Sequence, residues 1–480
     1  MSPGARRLRV AALAIAVGLV LSDSSIVVLA LPDIYRELDT SVSGVTWVLI
    51  SFNLVMAVAA VPAALAARRV GPGRAAAVGL AIFAGAGLAC GLADHLSTLI
   101  VARCVQALGG AAAVTAALEL LPSELGRNER HDLVSASGAP AGSDMSSVGS
   151  ERRAALVWAA AGATGAALGP AIGGILTELV SWQSIFLVQV PVALAAAIPI
   201  LAVARHEMAT GAIEPELRRT GSPHLLANLA LAMVSAAIAA ALFLLVLLLI
   251  EGWRLSPIGA AIVVSVMPLA ALLGSRLGEL VESSRARAAA GAILVSGGLA
   301  GLALLPGAEV ALTVPPQVLV GIGLSLVLSA LTETALAGRA PQAIHGGWTI
   351  SARHAGVVLG LLALTPLFTH EIAKQRTDAI EAGTAVILDS PVQPLLKLDL
   401  ARRVADRLGE EVGKVPTIGP AFEPLPSDPT ERAEAELLRA ELQDQLDRGA
   451  THAFSSSFGL AAVLGILALI PIGISRRVEL

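Results

Sequence analysis

The stretch Gly162–Gly174, GATGAALGPAIGG, decides how the chain is to be read. It lies inside an apolar segment from Ala154 to Glu178, where an uninterrupted helix is expected. Proline withdraws a backbone donor and crowds the preceding turn, and glycines bare the backbone. In lipid such a helix persists only under cover of neighbouring helices, and small residues four apart let those neighbours come very close. Gly165, Gly169, Pro170, Gly173 and Gly174 therefore predict a helix packed tightly on another and bent at a fixed place. A packing kink of this kind suits any polytopic protein, so what it is for depends on the rest of the chain.

The remainder of the sequence has the same character. The 480 residues are 55% hydrophobic and 15% charged, with a mean hydropathy of +0.76. A soluble protein of this size does not read that way, and repeated apolar runs of about twenty residues indicate an all-α polytopic membrane protein. Cys90 and Cys104 both fall in apolar segments, which excludes a disulfide framework. The first apolar run, Val10 to Leu31, follows a short basic start (Arg6, Arg7, Arg9). It is too long for a signal-peptide core and reads as a first membrane helix.

Twelve spans are expected: 10–31, 45–67, 74–93, 97–121, 154–178, 184–204, 225–250, 257–276, 287–306, 312–337, 346–369 and 453–475. If they alternate, one side collects the basic residues from Arg6 to Arg477, whereas the short loops opposite hold only Arg36 and Arg254. The positive-inside rule then puts both termini in the cytoplasm. An odd number of spans would mix the two groups.

The expected organisation is a six-helix bundle over 1–204, a cytoplasmic linker over 205–224 and a second six-helix bundle over 225–480. Residues 122–153 are rich in Ser, Gly and Ala and read as a flexible cytoplasmic insertion. Residues 370–452 form a long outer loop, with sixteen acidic and ten basic residues between 371 and 450. Leu396, Leu400, Val404, Leu408 and Val412 give one amphipathic helix there, and Leu438, Leu442 and Leu446 a second from Pro429. The result is either a small helical cap, too poor in core to stand alone, or a solvated acidic loop.

Several motifs carry a resemblance. LSDSSIVVLALP, Leu21–Pro32, matches l-D-x-T-i-V-N-V-A-L-P at Asp23, Ala30, Leu31 and Pro32, with Ser25 and Val28 in place of Thr and Asn. LIVARCVQALGGAA matches l-i-x-x-R-x-x-Q-G-x-G at Arg103, Gln106 and Gly109. Trp182, Phe186, Val190 and Pro191 match W-R-W-i-F-l-i-N-V-P, and Leu255-Ser256-Pro257 with Gly259-Ala260 match G-x-S-P-x-x-A-G. The chain resembles the major facilitator superfamily, most closely the drug:proton antiporters of the fourteen-helix type, in a twelve-helix variant. The opening stretch is similar to their antiporter motif. In the loop after the second span, Arg69 and Gly71 match G-x-L-A-D-R-x-G-R-[RK], but Arg68 stands where that pattern has Asp. The equivalent loop after the eighth span keeps an acid, Glu282.

Charges inside spans are costly and belong in the bundle interior with a partner. Asp23 and Arg103 lie eight and six residues below the outer ends of their spans, at ~12 and ~9 Å by the 1.5 Å rise, and are level enough to pair. Proton coupling needs a carboxyl whose proton affinity follows a moving cation, because burial and a neighbouring Arg act on it in opposite directions. The alternative is a static pair that holds the bundle together. Glu333 and Arg353 form a second expected pair near the cytoplasmic side, although Glu333 could instead snorkel to the interface. His354 reads as a packed helix residue. No metal-ligand cluster is apparent, and the glycines of the helix 2–3 loop lack the preceding strand that a phosphate-binding turn requires.

These readings converge on a secondary active transporter with its site between two bundles near the midplane. It is expected to export an amphipathic small molecule against protons, with Asp23 protonated, Arg103 as its partner and the glycine-rich fifth helix sealing the bundle interface. The resemblance implies cavity walls from helices 1, 2, 4, 5, 7, 8, 10 and 11, with Asn53, Gln106, Trp158 and Thr164 as candidate contacts. It also implies no cofactor beyond the proton gradient, a bacterial plasma membrane location, the bilayer and a small substrate as partners, and no nucleic acid. The outer segment 370–452 offers a surface to an extracytoplasmic partner. Two alternatives stay open: export of a lipid or cell-envelope precursor through that cap, and a non-transporting membrane scaffold.

Overall fold

The computed structural model describes residues 3–137, 143–210, 221–389, 397, 399–404, 406, 419–423 and 428–475. Among the described residues, twelve helices are long and apolar enough to cross a membrane. They are α1 (Gly4–Glu37), α2 (Val42–Val70), α3 (Pro72–Gly91), α4 (Leu96–Leu125), α5 (Arg153–Leu179), α6 (Ser184–Arg205), α7 (Leu225–Gly252), α8 (Pro257–Gly278), α9 (Ser284–Ala303), α10 (Val310–Leu336), α11 (Gln342–Glu371) and α12 (Pro429–Ile474). The protein is thus a multi-pass membrane protein, and the twelve apolar runs coincide with these helices to within a few residues over their membrane portions. The side on which α1 begins is called the terminal face below, and the opposite side the cap face.

Local chemistry sets the helix boundaries. Ser41, Ser256 and Ser283 each accept a hydrogen bond from a backbone N–H three residues on, capping α2, α8 and α9. Between α2 and α3 the backbone turns at Gly71, whose φ of 99° favours glycine, and Pro72 opens α3.

Packing repeats with a period of six helices. In the first bundle α1 packs mainly on α5, α3 on α4 and α6, and α2 on α4. In the second, α7 packs mainly on α11, α9 on α10 and α12, and α8 on α10. The seams repeat as well. Gly79 of α3 meets the Gly109 carbonyl of α4, and Gly291 of α9 meets the Gly323 carbonyl of α10. Gly165 of α5 lies against the Gly18 carbonyl of α1, and Gly356 of α11 against the Ala232 carbonyl of α7. Close approach through small residues is how helices associate where lipid leaves no hydrophobic drive between them.

The glycine stripe of α5 therefore has a different partner from the one expected. Gly165, Gly169 and Gly173 abut Gly18, Ser25 and Ile26 of α1, inside the first bundle. Only Gly174 of the motif reaches the other bundle, at Pro257 and Ala261 of α8. Pro170 is buried and the helix continues through it from Ser143 to Leu179. The reason is angular: 165, 169 and 173 share one face of a 3.6-residue helix, while 174 turns about 100° away from 173.

The bundles meet at both faces. Near the terminal face Gly347 of α11 packs on Ala60 and Val61 of α2, and Gly346 on Leu118 of α4. Near the cap face Arg36 of α1 lies 3.8 Å from Glu251 of α7, and Glu178 of α5 accepts the Ile258 N–H at 2.7 Å.

On the cap face the helix of α11 continues to Asp389, and α12 starts at Pro429, well before its apolar stretch. Ile387, Leu400, Val404, Phe422, Leu438 and Leu442 bury one another there. Leu396, Leu408 and Val412 lie outside the described residues. Trp253 donates its indole N–H to Thr451 at 2.9 Å, fixing α12 to the end of α7. In the segment 122–153 the helix of α4 runs on to Ser137 and that of α5 begins at Ser143. Residues 138–142, and 211–220 of the linker, lie outside the described residues.

Candidate functional site

Asp23 of α1 and Arg103 of α4 form an ion pair at 2.5 Å, and both side chains are 0% exposed. Arg103 donates through Nη1 to Gln106 Oε1 at 2.7 Å and through Nε to the Val48 carbonyl at 3.3 Å. Its guanidinium lies 4.2 Å from the ring centre of Phe52 and 5.6 Å from that of Phe186. Gln106 Nε2 donates to Gln189 Oε1 at 3.5 Å, and the Cys90 thiol sits 3.7 Å from Gln106 Oε1. One buried polar cluster thus ties α1, α2, α3, α4 and α6 together.

The cluster is incompletely satisfied. Asp23 Oδ1 and Arg103 Nη2 are buried without a hydrogen-bond partner. Unsatisfied polar atoms in a dry interior are costly, and each calls for a structural or functional reason.

Asn53 carries the cluster to the other bundle. It donates to Leu49 O at 2.8 Å and to Ser24 Oγ at 3.3 Å, beside Asp23. Its Oδ1 lies 2.6 Å from Nδ1 of His354 on α11. Phe52, the platform under Arg103, also meets the His354 ring edge-on at 6.5 Å. His354 is therefore an inter-bundle contact, not just a packed helix residue. Its alignment with Asn53 depends on how two distant helices cross, which no motif encodes.

The other expected residues are placed as follows. Gln106 and Asn53 belong to the cluster. Trp158 is buried and donates to the Val114 carbonyl at 3.3 Å, so it fastens α5 to α4 within the core. Thr164 is exposed and stands apart from the cluster. Glu333 does not pair with Arg353; it pairs with Arg287 of α9 and accepts from Ser284. The cause is depth. The helix of α11 begins at Gln342, so Arg353 lies eleven residues in, whereas Glu333 is three residues from the end of α10. At 1.5 Å per residue the two differ by ~12 Å.

In the α2–α3 loop Arg68 pairs with Glu119 of α4 at 3.2 Å, Arg69 is exposed and Gly71 makes the turn. Glu282 in the equivalent second-bundle loop is exposed. A second α4 carboxylate, Glu124, pairs with Arg9 of α1 at 3.0 Å, and both are nearly buried. The acids that hold these cations are thus on α4, and Arg68 takes part in a pair of its own. Arg68→Glu is expected to lower thermal stability, and adding Glu119→Arg to recover it. For a partly exposed pair the coupling should be about 0.2–1 kcal/mol in a double-mutant cycle. Zero coupling would show the pair to be incidental.

Two six-helix bundles joined face to face, with an ionisable cluster buried in one, make a twelve-helix membrane architecture with internal repetition. The chain belongs to the major facilitator superfamily, whose sequence model matches residues 13–365. It is 32% identical over 169 residues to the multidrug resistance protein Stp of Mycobacterium tuberculosis, covering 35% of this chain and 28% of that one. It is 32% identical over 269 residues to the methylenomycin A resistance protein of Streptomyces coelicolor, covering 55% and 49%. With the tetracenomycin C resistance and export protein of Streptomyces glaucescens it shares 33% over 202 residues, covering 41% and 34%. The chain spans half or less of the length of these relatives. Its fold is similar to the crystal structure of a bacterial homologue of the human lysosomal transporter Spinster, inward-facing and unoccupied. That likeness has a TM-score of 0.58 at 17% identity and covers 99% of both chains.

Proposed function

We propose that the protein is a proton-coupled exporter of an amphipathic small molecule, with the terminal face in the cytoplasm of a bacterial cell. The observation that carries this reading is the buried Asp23–Arg103 pair, with unfilled polar atoms on both partners. The drug resistance and export proteins among its relatives support it.

Coupling would run through the cluster. Protonation of Asp23 removes the charge that holds Arg103, and the guanidinium is then free to shift on Phe52 and toward Gln106. Phe52 and Asn53 are consecutive residues and both touch His354, so such a shift reaches the bundle interface within one turn of α2. A change in protonation thereby biases which way the bundles rock, with the substrate held between them.

The test is transport in inverted vesicles with an interior-acid pH gradient. Rhodamine 6G should accumulate inside, and nigericin should collapse the accumulation. Uptake that is indifferent to the gradient would remove proton coupling from the proposal.

A further inference from the structure

A second cation deep in an apolar span is Arg353. It lies eleven residues into α11, ~16 Å from the start of that helix, too deep for its head group to snorkel to the terminal face. It is partly buried, and among the described residues it has neither an ion pair nor a hydrogen bond. The two carboxylates near the span ends of α7 and α10 are engaged elsewhere, Glu251 with Arg36 and Glu333 with Arg287.

Helical geometry fixes where the side chain emerges. Arg353 lies seven residues above Gly346, which packs on Leu118 of α4, and three below Gly356, which packs on Ala232 of α7. Positions seven and three apart share one side of a helix. Arg353 therefore projects between α4 of the first bundle and α7 of the second. The adjacent His354 is held by Asn53 on α2, which pins the rotation of α11. An intramembrane guanidinium without an internal counter-charge is costly unless it faces a cavity or meets an anion there. Arg103, the intramembrane cation of the first bundle, has Asp23.

We propose that Arg353 is the anion-recognition residue of the translocation path, and that the cargo is an amphipathic molecule bearing a carboxylate, sulfonate or phosphate. A planar guanidinium takes two oxygens of such a group at once, which gives orientation as well as attraction. This assignment deepens the export reading and rests on it.

Fluorescein and rhodamine 6G share a xanthene ring system and differ in charge, so they separate anion recognition from apolar binding. Binding would be measured by fluorescence anisotropy on the full chain in phosphatidylcholine nanodiscs. Wild type should prefer fluorescein. Arg353→Gln should lose roughly ten- to hundredfold in fluorescein affinity and bind rhodamine 6G no more weakly, since a cationic dye gains from the loss of a like charge, and Arg353→Lys should recover part of the fluorescein loss. The proposal falls if Arg353→Gln binds fluorescein as wild type does, if wild type prefers rhodamine 6G, or if wild type binds no fluorescein. Repeating the titration in phosphatidylglycerol discs identifies the source of the anion. Competition seen only with Arg353 present assigns it to a lipid headgroup, and equal binding in both discs to a free solute. Gradient-driven transport of rhodamine 6G without fluorescein binding would sink this inference and leave export standing. Fluorescein binding that depends on Arg353, without transport of either dye, would do the reverse.

Discussion

Asp23→Asn is expected to end gradient-driven transport and to lower stability by about 3–5 kcal/mol, because it leaves Arg103 charged in a site with no exposure. Arg103 keeps its contacts with Gln106, the Val48 carbonyl and Phe52, but none of these neutralises it. Arg103→Gln should destabilise to a similar degree by stranding Asp23. Loss of transport in either single variant would not by itself tell a coupling carboxyl from a static strut. The double variant Asp23→Asn, Arg103→Gln separates them. Replacing both charges of a buried pair is often close to neutral for stability, since the desolvation penalty disappears with the attraction. Thermal unfolding of the double variant should therefore approach wild type, while accumulation against the pH gradient stays lost. If it accumulates substrate as wild type does, the pair is structural and proton coupling must be sought elsewhere. Passive exchange down a substrate gradient should survive in the double variant, because the bundles, their interface and Arg353 are untouched.

Axial position is legible in the sequence and azimuth is not. Counting residues from a span end places a side chain to within a few ångströms of depth, which is why the spacing of Asp23 and Arg103 is enough to match them. The same count fails for Glu333 because the apolar run of the eleventh span starts at residue 346, and the charge-free turn from Gln342 to His345 gives no signal to extend it. Depth also says nothing of rotation. Glu333 sits beside α9, where Arg287 waits, whereas Arg353 lies on the side of α11 that Gly346 and Gly356 turn toward α4 and α7. The spacing of Gly356 and Gly360 repeats that of Gly165 and Gly169, a signal visible when the two halves are compared. Phe186 and Gln189 lie within the W-R-W-i-F-l-i-N-V-P match, whereas Phe52 carries no comparable mark, since an aromatic in an apolar run reads as packing until its neighbours are known.

Gly165→Leu is expected to prevent recovery of folded protein, whereas Gly85→Leu is expected to be tolerated. A Cβ at Gly165 would collide with the Gly18 carbonyl of α1. That obstacle is backbone and not the end of a flexible side chain, so relief requires α1 and α5 to separate. Overpacking a core costs typically 1–3 kcal/mol and occasionally more. Here the cost should reach the upper end, because separating the helices also releases the contacts of Gly162, Gly169 and Gly173 along the same seam. In a membrane no hydrophobic gain offsets that loss, since lipid is as apolar as the exposed leucine. A Cβ at Gly85 in α3, or at Gly297 in α9, meets nothing within 4 Å, and leucine at either site improves helix propensity. These positions therefore control for the substitution itself. Gly356→Leu, against Ala232 of α7, should fail as Gly165→Leu does if the two bundles are held by the same device. Size-exclusion profiles and unfolding temperatures in one detergent give the comparison. If Gly165→Leu elutes and melts like Gly85→Leu, the seam is not what holds α5 on α1. If only Gly165→Leu fails, the first bundle depends on close backbone approach in a way its counterpart does not, and the unsatisfied Asp23–Arg103 cluster beside that seam is the feature that distinguishes the two.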